Sequence, residues 1–227
     1  MKRTIVLFSW KRYSAILKLS SKERAFWYDP LMTVHSPASP RQQRSRNQRE
    51  RLLETASGLF YREGIHSVGV DKIISETPST RATFYRYFGG KEALVLAHVQ
   101  RRDTALRELY AEVCRRTTDP RGRLEGLLIS IGDHLCFEGF RGCPFINATA
   151  EYPEQSGAVH KAVLEHRAWF AGTLLELLHY SKIPQPERVA RRLVMLRDGA
   201  MVSGYLDDPR VAREDFGAAV LDTLETD

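Results

Sequence analysis

The chain has 227 residues, 43% of them hydrophobic and 27% charged, which is enough for one large core or two modest ones in a soluble protein. No apolar run approaches the roughly 18 residues of a membrane span. Three cysteines (Cys114, Cys136, Cys143) form no CxxC pair, which excludes a disulfide scaffold and suits a reducing cytoplasm. The net charge of +6 is unevenly held: residues 1–92 carry 17 Lys/Arg against 8 Asp/Glu, net +9, and residues 93–227 carry 17 against 20, net −3. The front half is therefore suited to a polyanion, either a nucleic acid or a membrane surface.

In chain order, residues 1–31 are basic, with Trp10, Phe26, Trp27 and Tyr28 scattered without a period. Lys11 and Arg12 interrupt the first apolar stretch, which argues against a secretory signal. Residues 32–40, with two prolines and two serines, read as a disordered linker. Met32 at that boundary is a candidate start, and a genuine flexible tail is the alternative. Leu52, Leu53, Ala56, Leu59 and Phe60 then recur at three- and four-residue steps, one face of an amphipathic helix that Gly64 ends. Val70, Ile73, Ile74 and Thr77 make a short second helix that Pro78 stops. Thr80 caps a third over residues 81–86, and Gly89-Gly90 separate it from a long helix over residues 91–116. Asp119-Pro120 opens a helix to about residue 138. Further helices are expected over residues 145–152, 156–181, 187–206 and 211–224. The fold class is all-α, without strands.

Two short helices joined by a tight turn, following a helix that grows out of a basic arm, make a helix-turn-helix. Such a motif needs a short, capped recognition helix anchored by large apolar residues, so that its opposite face enters the major groove. Phe84 and Phe88 supply the anchors. Arg81, Ala82 and Thr83 fall in the first turn: arginine pairs bidentately with guanine, and a methyl from Ala82 or Thr83 touches thymine. Tyr85, Tyr87 and Lys91 suit phosphate oxygens, Lys91 at the start of a helix whose amides attract the same anion. The basic arm of Arg41, Arg44, Arg46, Arg49 and Arg51 reads as a backbone or minor-groove clamp.

These residues, LLETA at 52–56, LFYREG at 59–64, and TRATFYRYF at 80–88 followed by Lys91-Glu92, resemble the DNA-binding domain of the TetR family over about a fifth of the chain. The resemblance implies a three-helix DNA-binding domain over residues 41–90 and a helical effector-binding and dimerisation domain over 91–227. It also implies a homodimer on a palindromic double-stranded operator, released by a small-molecule effector. It puts Arg81, Ala82 and Thr83 on base-facing positions, and Thr80, Tyr85, Tyr87 and Lys91 on backbone-facing ones. Two departures stand out. Thr77-Pro78-Ser79-Thr80 replaces the family's Ala-Gly-Val-Ser turn, and Gly69 replaces a phosphate-binding threonine, leaving only its amide for that role.

Within the second domain, the segment GCPFINATAEYP at 142–153 is similar to a stretch in some members' regulatory domains. Tyr110, His134, Phe137, Phe145, Asn147, Glu151, His166, Trp169 and Phe170 are candidate effector contacts, an aromatic set with a few polar groups. Plain core is the alternative for each. Leu193, Leu196, Ala200 and Gly204, with Phe216, Ala219, Val220 and Leu224, are the expected dimer stripes on the last two helices.

Competing classes find less support. His134, Cys136 and Cys143 lack zinc-type spacing, and His160 and His166 are six apart on different helix faces. Gly89-Gly90 lacks the GxxxxGK[ST] frame, so no enzyme, metal or cofactor is expected. A membrane-surface role for residues 1–31 is weakened by the lack of a clean apolar face. Cys143 as an oxidant sensor has no neighbour in the sequence that evidently activates it.

Overall fold

The computed structural model describes residues 40–226, with side chains from 46 to 225. The expectations for residues 1–39 and for the side chains of Arg41 and Arg44 lie outside those residues. Pro40, read as the end of a linker, is instead the first residue of helix α1, Pro40–Glu63, where a proline's missing amide costs nothing. Among the described residues there are nine helices and no strand.

The predicted apolar face of α1 is the one buried: Leu52, Leu53, Ala56, Leu59 and Phe60 are each 4% exposed or less. Gly64 ends the helix at φ 89°, a left-handed conformation that glycine adopts without a Cβ penalty. Helix α2, Val70–Ser75, is two residues shorter than expected. It stops before Thr77, whose hydroxyl donates back to the Ile73 carbonyl. The amide of Ser79 closes on the Thr77 carbonyl at 2.6 Å, so the proline-containing turn is hydrogen-bonded without an amide from Pro78. Helix α3, Arg81–Phe88, starts on Thr80, whose hydroxyl accepts from the Thr83 amide at 3.2 Å, and ends at Gly89, φ 70°. Phe84 and Phe88 close the core of the three helices together with Val68 and Ile73.

Helix α4, Lys91–Arg116, runs from this unit into the helical body, made of α5 (Pro120–Leu135), α6 (Pro144–Glu151), α7 (Ala158–Tyr180), α8 (Pro186–Leu206) and α9 (Pro209–Thr226). Asp119 caps α5 by accepting from the Gly122 amide at 2.7 Å, with Pro120 in the first turn as expected. Helix α8 packs along α9 and on α5 and α7, and α9 packs on α5. At Gly204 a Cβ would stand 3.2 Å from Leu135 and 3.3 Å from Phe140, so this glycine lets α8 approach α5 within the subunit.

Helix α4 is tied to α1 by buried polar groups. His98, 2% exposed, shares a hydrogen bond with Ser57 at 2.9 Å and sets its ring edge-on to Phe60; Arg101 pairs with Glu50. Burial, reinforced by the charges of Arg102 and Arg101, pushes the His98 pKa down to about 3, and burial pushes His166 in α7 down to about 4. Both lie below the ordinary value of 6.5, so the unfolded chain takes up protons first as the pH falls. Their stability contribution is complete above about pH 7 and is lost as the pH falls through 6.5 toward 4, at about 1.4 kcal/mol per pKa unit at most. The melting temperature by calorimetry is therefore expected to drop by several degrees from pH 7.5 to pH 5, less so in His98→Asn. A pH-independent melting temperature over that range contradicts these buried neutral histidines.

Candidate nucleic-acid interface

The polarity of α3 follows from its eight residues. Phe84 and Phe88, four apart, are 0% and 6% exposed, their rings 5.8 Å apart, and they fix the helix against α1 and α2. The opposite side leaves Arg81, Ala82, Tyr85 and Arg86 exposed, with Tyr85 at 48%. Thr83 is half-buried, its hydroxyl 3.0 Å from that of Thr80, so the cap engages it. The Arg81 guanidinium is not free: Nη2 lies 2.5 Å from the carboxylate of Asp71 on α2. Tyr87 is half-buried and donates to Gln48 at 3.4 Å, with the Arg86 guanidinium over its ring; it joins α3 to α1 as much as it faces solvent.

Around this face the arm divides. Arg46 and Arg51 are exposed, whereas Arg49 lies 4.9 Å over the Phe88 ring and is part of the packing. Gly69 is exposed and is the N-cap of α2 without a side-chain cap; a Cβ there would meet nothing within 4 Å. Lys91 stands at the N-terminus of α4, its amine donating to the His66 carbonyl at 3.2 Å. Partial burial lowers its pKa, against the opposing charge of Glu151.

The candidate effector residues separate into three groups. Tyr110, Phe145, His166, Trp169 and Phe170 come together where α4, α6, α7 and α8 meet. His166 stacks on Phe145 at 3.7 Å and 4°, shares a hydrogen bond with Asp103 at 2.8 Å, and stands 5.8 Å from Trp169, which in turn meets Tyr110 at 6.3 Å. His134, half-buried edge-on to Phe140, has its pKa pushed down to about 4 by burial and by the charges of Arg102 and Arg197; half-buried Phe137 follows the end of α5. Two residues that the sequence does not single out complete this region. Arg197, 7% exposed, reaches Cys143 at 3.3 Å and lies 5.5 Å over Phe170; Arg107 covers Trp169 at 4.5 Å. The signal for Arg197 was present, since a charge at i+4 from Leu193 interrupts an apolar stripe, and such charges are seldom buried without a purpose.

Asn147 and Glu151 lie elsewhere. Asn147 donates to the Arg141 carbonyl at 3.0 Å and fixes the loop before α6. Glu151, the last residue of α6, accepts from the amides of Ile65 at 2.8 Å and His66 at 2.5 Å, in the α1–α2 turn. Beside it, the Tyr61 hydroxyl accepts from the Arg141 amide at 2.8 Å and donates to the Gly142 carbonyl at 3.1 Å. These residues join the body to the helix-turn-helix and are set apart from the aromatic group.

A surface of this form fits a duplex groove, and in class the chain is a helix-turn-helix DNA-binding regulator. Comparison with known proteins agrees. The family described as bacterial regulatory proteins, tetR family, matches residues 52–98. The crystal structure of SCO4454, a TetR-family transcriptional regulator from Streptomyces coelicolor, superposes with a TM-score of 0.77 at 44% identity, over 80% of this chain and 96% of that one. The HTH-type transcriptional regulator LmrA of Bacillus subtilis is 28% identical over 124 residues, 53% of this chain and 66% of LmrA. An uncharacterized HTH-type transcriptional regulator of Mycobacterium tuberculosis is 37% identical over 82 residues, 36% of this chain; the match spans 39% of that relative. The chain belongs to the TetR family of transcriptional regulators.

Proposed function

We propose that this regulator is a ligand-responsive repressor that holds a palindromic operator as a homodimer, with residues 41–90 binding DNA and 91–227 sensing and dimerising. The observation that carries the reading is the outward face of α3, a capped first turn with Arg81 and Ala82 in solvent, held from behind by two buried phenylalanines. Such a face reads base edges, while Tyr85, Arg46 and Lys91 meet phosphates.

Selection from random duplexes, followed by affinity and salt titrations, tests the reading. Arg81→Ala is expected to cost about 1–3 kcal/mol and to relax preference at one position per half-site. Lys91→Ala is expected to weaken all duplexes alike and to flatten the salt slope by about 0.9 for each phosphate no longer neutralised. Unchanged affinity for the selected site after Arg81→Ala counts against the placement of the recognition helix.

Dimerisation is supported by an apolar surface on α8 and α9, but not by the stripe expected from periodicity. Leu193, Ala200, Gly204, Phe216, Val220 and Leu224 are buried within the subunit, and Leu196 is half-buried against its core. The uncovered aliphatic residues are Met195 (71% exposed), Val202 (48%), Leu206 (70%) and Val211 (52%), with Gly199 between the first two on the same face of α8; Tyr205, also exposed, stands under the Arg141 guanidinium. A Cβ on Gly199 would meet nothing within 4 Å, in contrast to Gly204. An apolar face of this size suits a second copy packed about a two-fold axis.

Effector response is supported by helix α6, which reaches both regions. Phe145 at its start joins the aromatic group, and Glu151 at its end holds the α1–α2 turn. A small organic ligand among Tyr110, Phe145, His166, Trp169 and Phe170 displaces α6, and with it the helix-turn-helix. In this reading Asn147 and Glu151 transmit the signal and do not line the site.

A further inference from the structure

The ion pair between Asp71 and Arg81 joins the two helices of the motif across the turn. Asp71 is in the first turn of α2 and Arg81 is the first residue of α3; their side chains are 70% and 65% exposed. A pair so exposed contributes little to folding stability. Its geometry has a different consequence. The carboxylate holds one guanidinium nitrogen, Nη2, at 2.5 Å; Nη2 carries two N–H groups, and with one on Asp71 the other still forms a two-donor edge with a neighbouring nitrogen of the fork. An arginine reads guanine only when its planar fork meets two acceptors together, and a long side chain that is already oriented loses less rotamer freedom on binding. The same carboxylate also sets a negative charge beside the phosphates, which weakens binding to any duplex in which Arg81 finds no guanine to match it.

We infer that Asp71 is a specificity-determining residue: it orients the Arg81 fork for a base edge and keeps that guanidinium from settling on a phosphate. The inference rests on the reading of α3 as the recognition helix. Asp71 acts through Arg81 and touches no base itself. Without it, Arg81 is free to neutralise a backbone phosphate, and sequence preference is exchanged for general affinity. The competing role for Asp71 is helical alone, an acid in the first turn that favours the α2 dipole.

The experiment uses the full chain and the duplex selected by the wild type. Affinities are measured for that site, for its base variants at the position where Arg81→Ala loses preference, and for random duplex, each at several salt concentrations. The proteins are the wild type, Asp71→Asn, Arg81→Ala and the double variant, with their melting temperatures. Asp71→Asn is expected to keep the melting temperature and to reduce the preference for the best base by about fivefold or more, within the range of a bidentate contact. It is also expected to raise the affinity for random duplex and to steepen the salt slope by about 0.9 for each phosphate newly neutralised. In the Arg81→Ala background the same change is expected to raise the random-duplex affinity by clearly less than it does beside Arg81, since only the carboxylate's own repulsion is relieved and no guanidinium is released to a phosphate. If Arg81→Ala abolishes the preference while Asp71→Asn changes neither preference nor slope, the inference is overturned and the recognition helix stands. A melting temperature many degrees lower in Asp71→Asn, with binding altered alike in both backgrounds, assigns Asp71 to the helix alone and also overturns it. A wild type that selects no sequence overturns the functional reading and this inference with it.

Discussion

Val202→Glu is expected to yield a folded monomer that has lost operator binding. Val202 lies one heptad after Met195 and four residues before Leu206, in the middle of the uncovered face of α8. In the free subunit the side chain is 48% exposed, so a glutamate there stays solvated and the subunit core is untouched. In a two-fold interface the same substitution occurs twice, close to the axis, and places two carboxylates in an apolar contact without a partner. An uncompensated buried charge costs about 3–5 kcal/mol, and each 1.4 kcal/mol is tenfold, so the dimer constant weakens by about a hundredfold or more. A palindrome read by two linked half-site binders then loses the benefit of simultaneous engagement. Sedimentation at micromolar concentration is expected to give dimeric wild type and monomeric variant, with similar circular dichroism. A variant that remains dimeric places the interface on another surface.

This expectation shows where periodicity was sufficient and where it was not. The apolar face of α1 and the anchors Phe84 and Phe88 were legible because each is set by neighbours three or four residues away and by a local cap. Helix α8 is different. Leu193, Ala200 and Gly204 make one apolar stripe and Met195, Val202 and Leu206 another, and spacing does not rank which faces its own core. Packing decides: Leu135 and Phe140 fill the space over Gly204, while the space over Gly199 is open. Asn147 and Glu151 stand with Phe145 in the sequence as polar members of an aromatic set, yet the eight residues of α6 span two turns with more than one face. Glu151 meets Ile65 and His66, 86 and 85 residues away, a relation that no local pattern contains. The Asp71–Arg81 pair was illegible for a similar reason, since its geometry depends on how the proline-containing turn sets α2 against α3.

The second large effect is expected at Glu151. Its carboxylate is the acceptor for two consecutive backbone amides at the end of α1, and Gly64 beside them has the left-handed backbone that turns the chain toward it. Hydrogen bonds to a charged group contribute about 1.5–3 kcal/mol each, and a truncation leaves both amides to find water. Tyr61 and the loop carrying Arg141 and Gly142 supply a second tie, so Glu151→Ala is expected to loosen the junction without unfolding the chain. Hydrogen exchange at the amides of Ile65 and His66 is expected to accelerate about tenfold or more, while that of the amides in the core of α7 stays unchanged. Operator affinity is expected to fall by about tenfold, because the two recognition helices of a dimer bind together only when the bodies hold them at the operator spacing. Glu151→Gln, which keeps an acceptor oxygen and loses the charge, is expected to fall between the alanine variant and the wild type. Unchanged exchange at Ile65 and His66 in Glu151→Ala would remove Glu151 from the junction and leave Tyr61 with Gly142 as the contact through which α6 and the helix-turn-helix move together.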